Sequence, residues 1–403
     1  MEGNQHYITP SHTDGKLYEV TSGRAAAVNQ APTYDPLVTS SRRLACHSLL
    51  TNTSWTKNQT FRAKIFVTPL HFHDLCTLTF ARQFDLPVVG LVTSRIGSWW
   101  SWYWLDLVPP LATNAVPPNE LSANFGFFER MFNIIDFWSY ISVREGDWVA
   151  PLMPSLPPGS VQPIAELYAA LTTVLVAWDG LTDLQLPRAS FLTSVAGLQW
   201  DRDEEITKDT LLPLQRNRNG AIFCNLKLRE LWVGRAAQRA LLHALAATPF
   251  TVVWRGVEEA WGEGVDDGNQ TENTRKGSAM FVYKEDPPMA ALLAHPRHRL
   301  LISMCGESDV TAAVLVGSPT LCIPVTPDQH LTSNKLRDLG LAVVVPARDV
   351  TTNQMRDVIR ELTTNRSYRS RGRQLAEEYI DQPLHVSDRV LHTLEKLMRR
   401  PWR

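Results

Sequence analysis

The side chains best able to do chemistry fall in a few short stretches. Trp99, Trp100, Trp102 and Trp104 crowd the segment SWWSWYWLDLVPP. Such a cluster can wall an apolar ligand pocket, or it can pack against the rest of its own domain. Gly306 follows the apolar run LLISMC and opens a helix-like stretch. Unsatisfied N–H groups and the dipole at a helix N-terminus favour an anion there. Gly306 and Gly317 are also natural turn glycines. Asp328 and Gln329 lie between the run LCIPV and the helical pattern His330 to Leu339, and taken alone they cap that helix. His71, His73, Asp74 and Cys76 are metal-ligand types. Two of them fall inside a helix and no partner appears elsewhere, so no metal is expected.

These residues need strands and helices to hold them. Ala63 to Ser94 reads AKIFVTP, DLCTLTFARQF and LPVVGLVTS, a strand–helix–strand unit of the size of a parallel crossover. Pro109 and Pro110 forbid a regular strand after the tryptophans. Apolar residues at helical spacing predict a helix over Phe125 to Tyr140, and Leu175 to Trp200 alternates short strand-like runs with turns. Asp201 to Arg218 is charged and weakly periodic, a candidate linker. The strand–helix pattern then restarts: strands at 220–226, 250–254, 300–305, 321–325 and 341–345, with helices at 236–246, 310–316 and 330–339. Three terminal helices follow, Asn353 to Thr363, Ser370 to Tyr379 and Ser387 to Arg399, the last with Ser387 as its expected N-cap. Alternating strands and helices of this length predict two α/β domains with parallel, doubly wound sheets, whose ligands sit at the carboxyl ends of the strands.

Composition narrows the classes. Of 403 residues, 44% are hydrophobic and 20% charged, which excludes a disordered or fibrous chain. Lys plus Arg number 40 against 41 Asp plus Glu, so no basic field exists to hold nucleic acid. The five cysteines include no Cys-x-x-Cys pair. Neither a disulfide framework nor a zinc site is expected, and Cys305 and Cys322 read as small buried hydrophobes. Met1 to Asp14 lacks the apolar core of a secretory signal, and the best apolar run, Leu167 to Trp178, is shorter than the ~20 residues a bilayer span needs.

Pro296 to Val345 resembles the signature of the UDP-glycosyltransferases, glycosyltransferase family 1. The residues that carry the resemblance are Leu293-Ala294-His295-Pro296, Gly306, Gly317, Pro319, Pro324, Asp328, Gln329 and Gly340. FFERMFN (127–133), the stretch 175–200 and Thr363 to Pro383 resemble other parts of the same family. The animal branch, with arthropod and baculoviral ecdysteroid glucosyltransferases, looks most similar. The resemblance implies a GT-B fold, two facing Rossmann-like doubly wound domains, with the N-terminal one incomplete and shortened at its start. The expected division is an acceptor-binding domain over 1–205, a linker over 206–218, a UDP-sugar-binding domain over 219–370 and C-terminal helices over 371–403.

The implied reaction moves a hexose, glucose or glucuronate, from a UDP-sugar co-substrate to a small lipophilic acceptor, without a cofactor or metal. It needs a general base on the acceptor and donors that stabilise the departing diphosphate. The family's base lies on a first strand that this chain is expected to lack, and the slot of its orienting acid falls on Thr68 or His71. The UDP-sugar positions fall on Asp328, Gln329, Gly306, Met304, Asp309, Lys227 and Pro288, and the acceptor wall on Trp99, Trp100, Trp102 and Trp104. Several depart from the family pattern. Met304 replaces a histidine on the diphosphate and donates no hydrogen bond. Asp309 replaces a serine and its charge opposes phosphate. Asp286 and Met289 stand in the uracil positions, Ala312 in the ribose position, and Lys227-Leu228 in a Gly-Ser turn. Three readings follow: a working transferase, an inactive relative that binds a small apolar ligand or a protein, and part of a longer active enzyme. The family resides in the endoplasmic reticulum membrane or lumen or is secreted, whereas this chain shows neither signal nor membrane helix.

Overall fold

Apolar runs covered on both faces become the central strands, and amphipathic segments become the helices that cover them. The computed structural model describes residues 64–70, 75–81, 87–92, 101–108, 110–111, 126–144, 164–177, 181, 189–200, 214, 217–226, 235–255, 280–283, 289–347 and 350–399.

The first half holds β1 (Phe66–Pro69), α1 (Leu75–Ala81) and β2 (Val88–Val92), the expected crossover unit. One helical turn over 101–104 and α2 (Phe127–Arg144) follow, then α3 (Ile164–Ala169), β3 (Leu171–Val176) and β4 (Leu192–Ser194). The four strands form a parallel sheet in the order β1-β2-β3-β4. Its core gathers Leu78, Val88, Trp102, Phe137, Tyr168 and Val174. Helix α2 faces that core with Phe137 and Ile141, while Phe127, Phe128, Phe132, Ile135 and Trp138 are exposed.

The second half holds β5 (Ala221–Asn225), α4 (Arg235–Ala246), β6 (Thr251–Arg255), β7 (Met280–Tyr283), α5 (Met289–Ala294), β8 (His298–Ser303), α6 (Glu307–Val316), β9 (Thr320–Cys322), α7 (Pro327–Asp338), β10 (Ala342–Val344), α8 (Thr352–Thr364) and α9 (Arg366–Ile380). The strand order is β10-β9-β8-β5-β6-β7, and each pairing is parallel. Counted within this half, that is the 3-2-1-4-5-6 order of a dinucleotide-binding sheet, with the reversal between β5 and β8. The expected strands are all present; β7 and α5 are additional. The final helix α10 (Val386–Arg399) returns to the first half, where Val390, Leu394 and Leu397 pack on Val89, Leu175 and Val195.

Two sequence expectations are corrected. Ser387 is not the N-cap of the last helix: α10 already includes Val386, and the His385 carbonyl accepts from Arg389 N at 3.0 Å. Cys305 and Cys322 are fully buried, as hydrophobes would be, but they are also joined by a disulfide across a Cα–Cα distance of 5.4 Å. Register explains the pairing: β8 and β9 lie side by side with Ser303 opposite Cys322, and Cys305 follows two residues later. Cys224 is a free, buried thiol in β5, and burial pushes its pKa up, as for an inert core cysteine.

Three helical segments end in the same backbone motif, a left-handed residue with one long and one short closing bond. At α6 the left-handed residue is Gly317, with Ser318 N bonded to Ala313 O at 2.8 Å. At α7 it is Gly340, with Leu341 N bonded to Leu336 O at 3.2 Å. After the turn 101–104 it is Asp106, φ 55°, with Leu107 N bonded to Trp102 O at 2.8 Å.

Candidate functional site: a strand-order crevice and an aromatic cavity

The crevice at the carboxyl ends of β5 and β8 is built from Asn225, the loop 303–306 and the first turn of α6. Its loop is held from several sides. Ser303 Oγ accepts from Cys305 N at 2.9 Å, Thr332 Oγ1 donates to the Cys305 carbonyl, and the disulfide ties Cys305 to the end of β9. Cys305 itself is left-handed, φ 56°, so the chain turns sharply before Gly306. Gly306 is the N-cap of α6 with φ −62°, a backbone that any residue adopts. A Cβ placed there meets nothing within 4 Å. Neither backbone nor packing requires a glycine, so the position leaves open space at the helix N-terminus.

Other expected donor residues converge there in altered form. Asp309 stands in the first turn of α6, where the helix dipole favours a carboxylate, and accepts from Asn225 Nδ2 at 2.8 Å. Asn225 Nδ2 also lies 3.8 Å from Met289 Sδ. Met304 is buried in the core. Ala312, in the ribose position, is buried as well. Asn225 was not singled out in the sequence; the available signal was its place as the last residue of a strand beside the order reversal.

Across the crevice edge, α7 starts earlier than expected. Its N-cap is Thr326, and Pro327 is its first residue, so Asp328 is not the cap. Gln329 completes a capping box. Its Oε1 accepts from Val325 N at 2.8 Å and Thr326 N at 3.1 Å. That fixes the amide plane and leaves Nε2 out of the cap. The side chain of Asp328, and Lys227 and Pro288 entirely, lie outside the described residues.

A second concavity lies in the first half, a cavity of about 410 Å³ whose walls include Tyr103, Trp104, Phe137 and Trp138. Ser101 Oγ donates to the Leu70 carbonyl at 3.0 Å, just beyond β1. Asn133 Nδ2 donates to the Leu111 carbonyl at 2.7 Å, tying α2 to the same segment. The cavity therefore stands at the carboxyl edge of the first sheet, where ligands of such sheets bind. Of the four expected wall tryptophans, Trp104 lines it. Trp102 does not: it points the other way from the helical turn and is completely enclosed in the core. Trp99 and Trp100 lie outside the described residues. Thr68 is buried and shares a 2.6 Å hydrogen bond with Thr77, so it holds α1 to β1. His71 lies outside the described residues. Among the described residues no group of three His, Cys, Asp or Glu side chains forms a metal site, and no helix is long and apolar enough to cross a membrane.

Two parallel α/β sheets, the second with this doubly wound order, fit the GT-B arrangement of glycosyltransferases. The crystal structure of glycosyltransferase VinC in complex with DTDP superposes with a TM-score of 0.57 at 13% identity, covering 94% of this chain and 85% of that one. The glycotransferase of kitacinnamycin gives 0.57 at 15% identity, covering 95% and 89%. The family model for UDP-glucoronosyl and UDP-glucosyl transferase matches residues 27–401, and the chain belongs to that family. Rat UDP-glucuronosyltransferase 1A7 is 21% identical over 361 residues, 88% of this chain and 64% of the relative. Human UDP-glucuronosyltransferase 2B15 is 22% identical over 334 residues, 80% of this chain and 59% of the relative. The chain thus spans about three-fifths of the length of these relatives.

Proposed function

We propose that this chain transfers a hexose, glucose or glucuronate, from a UDP-sugar to a small lipophilic acceptor. The observation that carries the reading is the open space at Gly306, the N-cap of α6, set at the strand-order reversal, where the positive end of the helix dipole favours a diphosphate. Gln329 Nε2, oriented by its capping box, and Asp328 would receive sugar hydroxyls, with Lys227 and Pro288 beside the nucleotide. The aromatic cavity would take the acceptor. The boundaries 1–205, 206–218, 219–370 and 371–403 fit this division of labour. The disulfide supports residence in an oxidising compartment. Kinship to the arthropod and baculoviral ecdysteroid branch belongs to the same proposal.

A second reading has its own observation. Asp309 and Glu307 already place two carboxylates in the first turn of α6, and buried Met304 offers the diphosphate no hydrogen bond. These features favour a relative that keeps the acceptor cavity and has lost donor affinity. Incubation with UDP-[14C]glucose and a panel of phenols and steroids, alongside calorimetry with UDP, decides between them. Label transfer that Asp328→Ala abolishes supports the transferase. No UDP binding and no transfer overturns it in favour of the second reading.

A further inference from the structure

Among the described residues the first-half cavity has one charged wall residue, Asp106, which stands exposed at its rim. Asp106 occupies the left-handed position that ends a helical segment, where the two other segments closed by the same motif carry Gly317 and Gly340. A side chain there is disfavoured relative to glycine. The helix dipole opposes a carboxylate at this end as well. Aspartate tolerates this backbone, so the turn admits the residue but makes no use of its charge. Among the described residues the cavity wall contains no Lys, Arg or His.

The rest of the wall has the composition that receives a cation. Tyr103 meets Trp104 edge-on at a centroid distance of 5.2 Å and Trp138 at 6.0 Å, with interplanar angles of 78° and 83°. Phe137 and Trp138 meet at 5.4 Å and 71°. Rings packed at right angles turn some faces outward from the stack, and an aromatic face attracts a cation through its quadrupole. A neutral lipophile would be served by the rings alone; Asp106 is exposed at the rim, where its carboxylate adds attraction only for a cation.

We propose that the cavity bounded by Tyr103, Trp104, Asp106, Phe137 and Trp138 binds a lipophilic ligand that carries an ammonium group. The aromatic faces and the Asp106 carboxylate together hold its charge. This names the class of acceptor for the proposed transferase and rests on that reading only for the transfer step; binding of the cation stands by itself.

The test uses the full chain without UDP. Calorimetric titration with benzyltrimethylammonium is compared with its neutral isostere neopentylbenzene, so that shape is held constant and charge varies. The cation is expected to bind about ten-fold more tightly, in the range of a partly desolvated cation–π contact. Asp106→Asn keeps a residue type that tolerates the left-handed backbone. It is expected to lower affinity for the cation about five-fold or more while leaving the isostere unchanged. Trp138→Leu is expected to weaken the cation more than the isostere. Equal affinity of the wild-type chain for the two probes overturns the proposal, as does a ratio that Asp106→Asn leaves unaltered. Because UDP is absent, a chain that never binds UDP defeats the donor reading without altering this result. A chain that binds UDP but does not discriminate the probes defeats this proposal alone.

Discussion

Replacing Gly372 by alanine sets two known effects against each other. Gly372 lies in the interior of α9, and alanine in a helix interior is favoured over glycine by about 1 kcal/mol. Here, however, α9 crosses the end of α6 with backbone against backbone. A Cβ on Gly372 strikes the Gly317 carbonyl oxygen and lies 2.8 Å from its carbon and 3.0 Å from Leu341 Cδ1. Ordinary carbon contacts begin at about 3.5 Å, so the helices must separate by roughly 1 Å. The Leu341 methyl can give way, but the Gly317 carbonyl is backbone and cannot swing aside. Overpacking of this kind costs about 1–3 kcal/mol, and a backbone obstruction belongs at the upper end. The net expectation for Gly372→Ala is a loss of about 2 kcal/mol. Gly317→Ala meets the same obstruction, 2.6 Å from Gly372 O, and adds a left-handed backbone at φ 65°. Its expected loss is about 4 kcal/mol. Gly306→Ala, with open space around its Cβ, is the control and should change stability by less than about 1 kcal/mol. Urea unfolding followed by far-ultraviolet circular dichroism measures all three through the midpoint at constant slope. A Gly372→Ala chain more stable than the parent by about 1 kcal/mol would show that the two helices do not cross at this distance.

Two further outcomes follow from the second half. His298 is held neutral, with its pKa lowered to about 3 from 6.5, first by burial and then by Arg299, Arg369 and His295. Its Nε2 lies 2.6 Å from Ser318 Oγ, which donates to the Pro319 carbonyl at 3.1 Å. The unfolded chain binds the extra proton below pH 6.5 while the folded chain does not until about pH 3. Stability is therefore full above pH 6.5 and falls on acidification by at most about 1.4 kcal/mol per pH unit. Thermal melts from pH 7 to pH 5 should show the slope, and His298→Gln should flatten it; an unchanged slope refutes the assignment. The Cys305–Cys322 disulfide closes a sequence separation of 17 residues. On chain entropy, opening it as the double alanine variant should cost about 3 kcal/mol, read by calorimetry against the oxidised parent. Equal melting temperatures would mean that the bridge constrains nothing in the unfolded chain.

The strands of the second half were legible because β5, β6 and β8 are covered on both faces and therefore appear as unbroken apolar runs. Edge strand β7 escaped notice because four residues next to a polar, Gly-rich stretch carry little pattern. Helix α5 escaped because six residues make fewer than two turns. The disulfide depended on which residues of β8 and β9 stand side by side, which spacing along the chain does not state. The division of labour between Trp102 and Trp104 was hidden for a related reason. Residues two apart on a helical turn face different ways, so one fills the core and the other lines the cavity. The special role of Asp106 lies in a backbone angle, and aspartate is common enough in turns that its type alone carried no signal.

The return of α10 to the first sheet makes the polypeptide a stitched pair rather than two beads on a string. Val390, Leu394 and Leu397 share one cluster with Val89, Leu175 and Val195, residues some two to three hundred positions earlier. Part of one face of a sheet formed early in the chain is thus covered only when the last helix arrives. Assembly of that sheet is non-local in the sense that slows folding, since loop-closure entropy is lost before the contact is made. The chain thus passes between the halves twice, so a movement of one half relative to the other must bend both passages together. Cleavage at one passage alone would leave the halves clasped through the other.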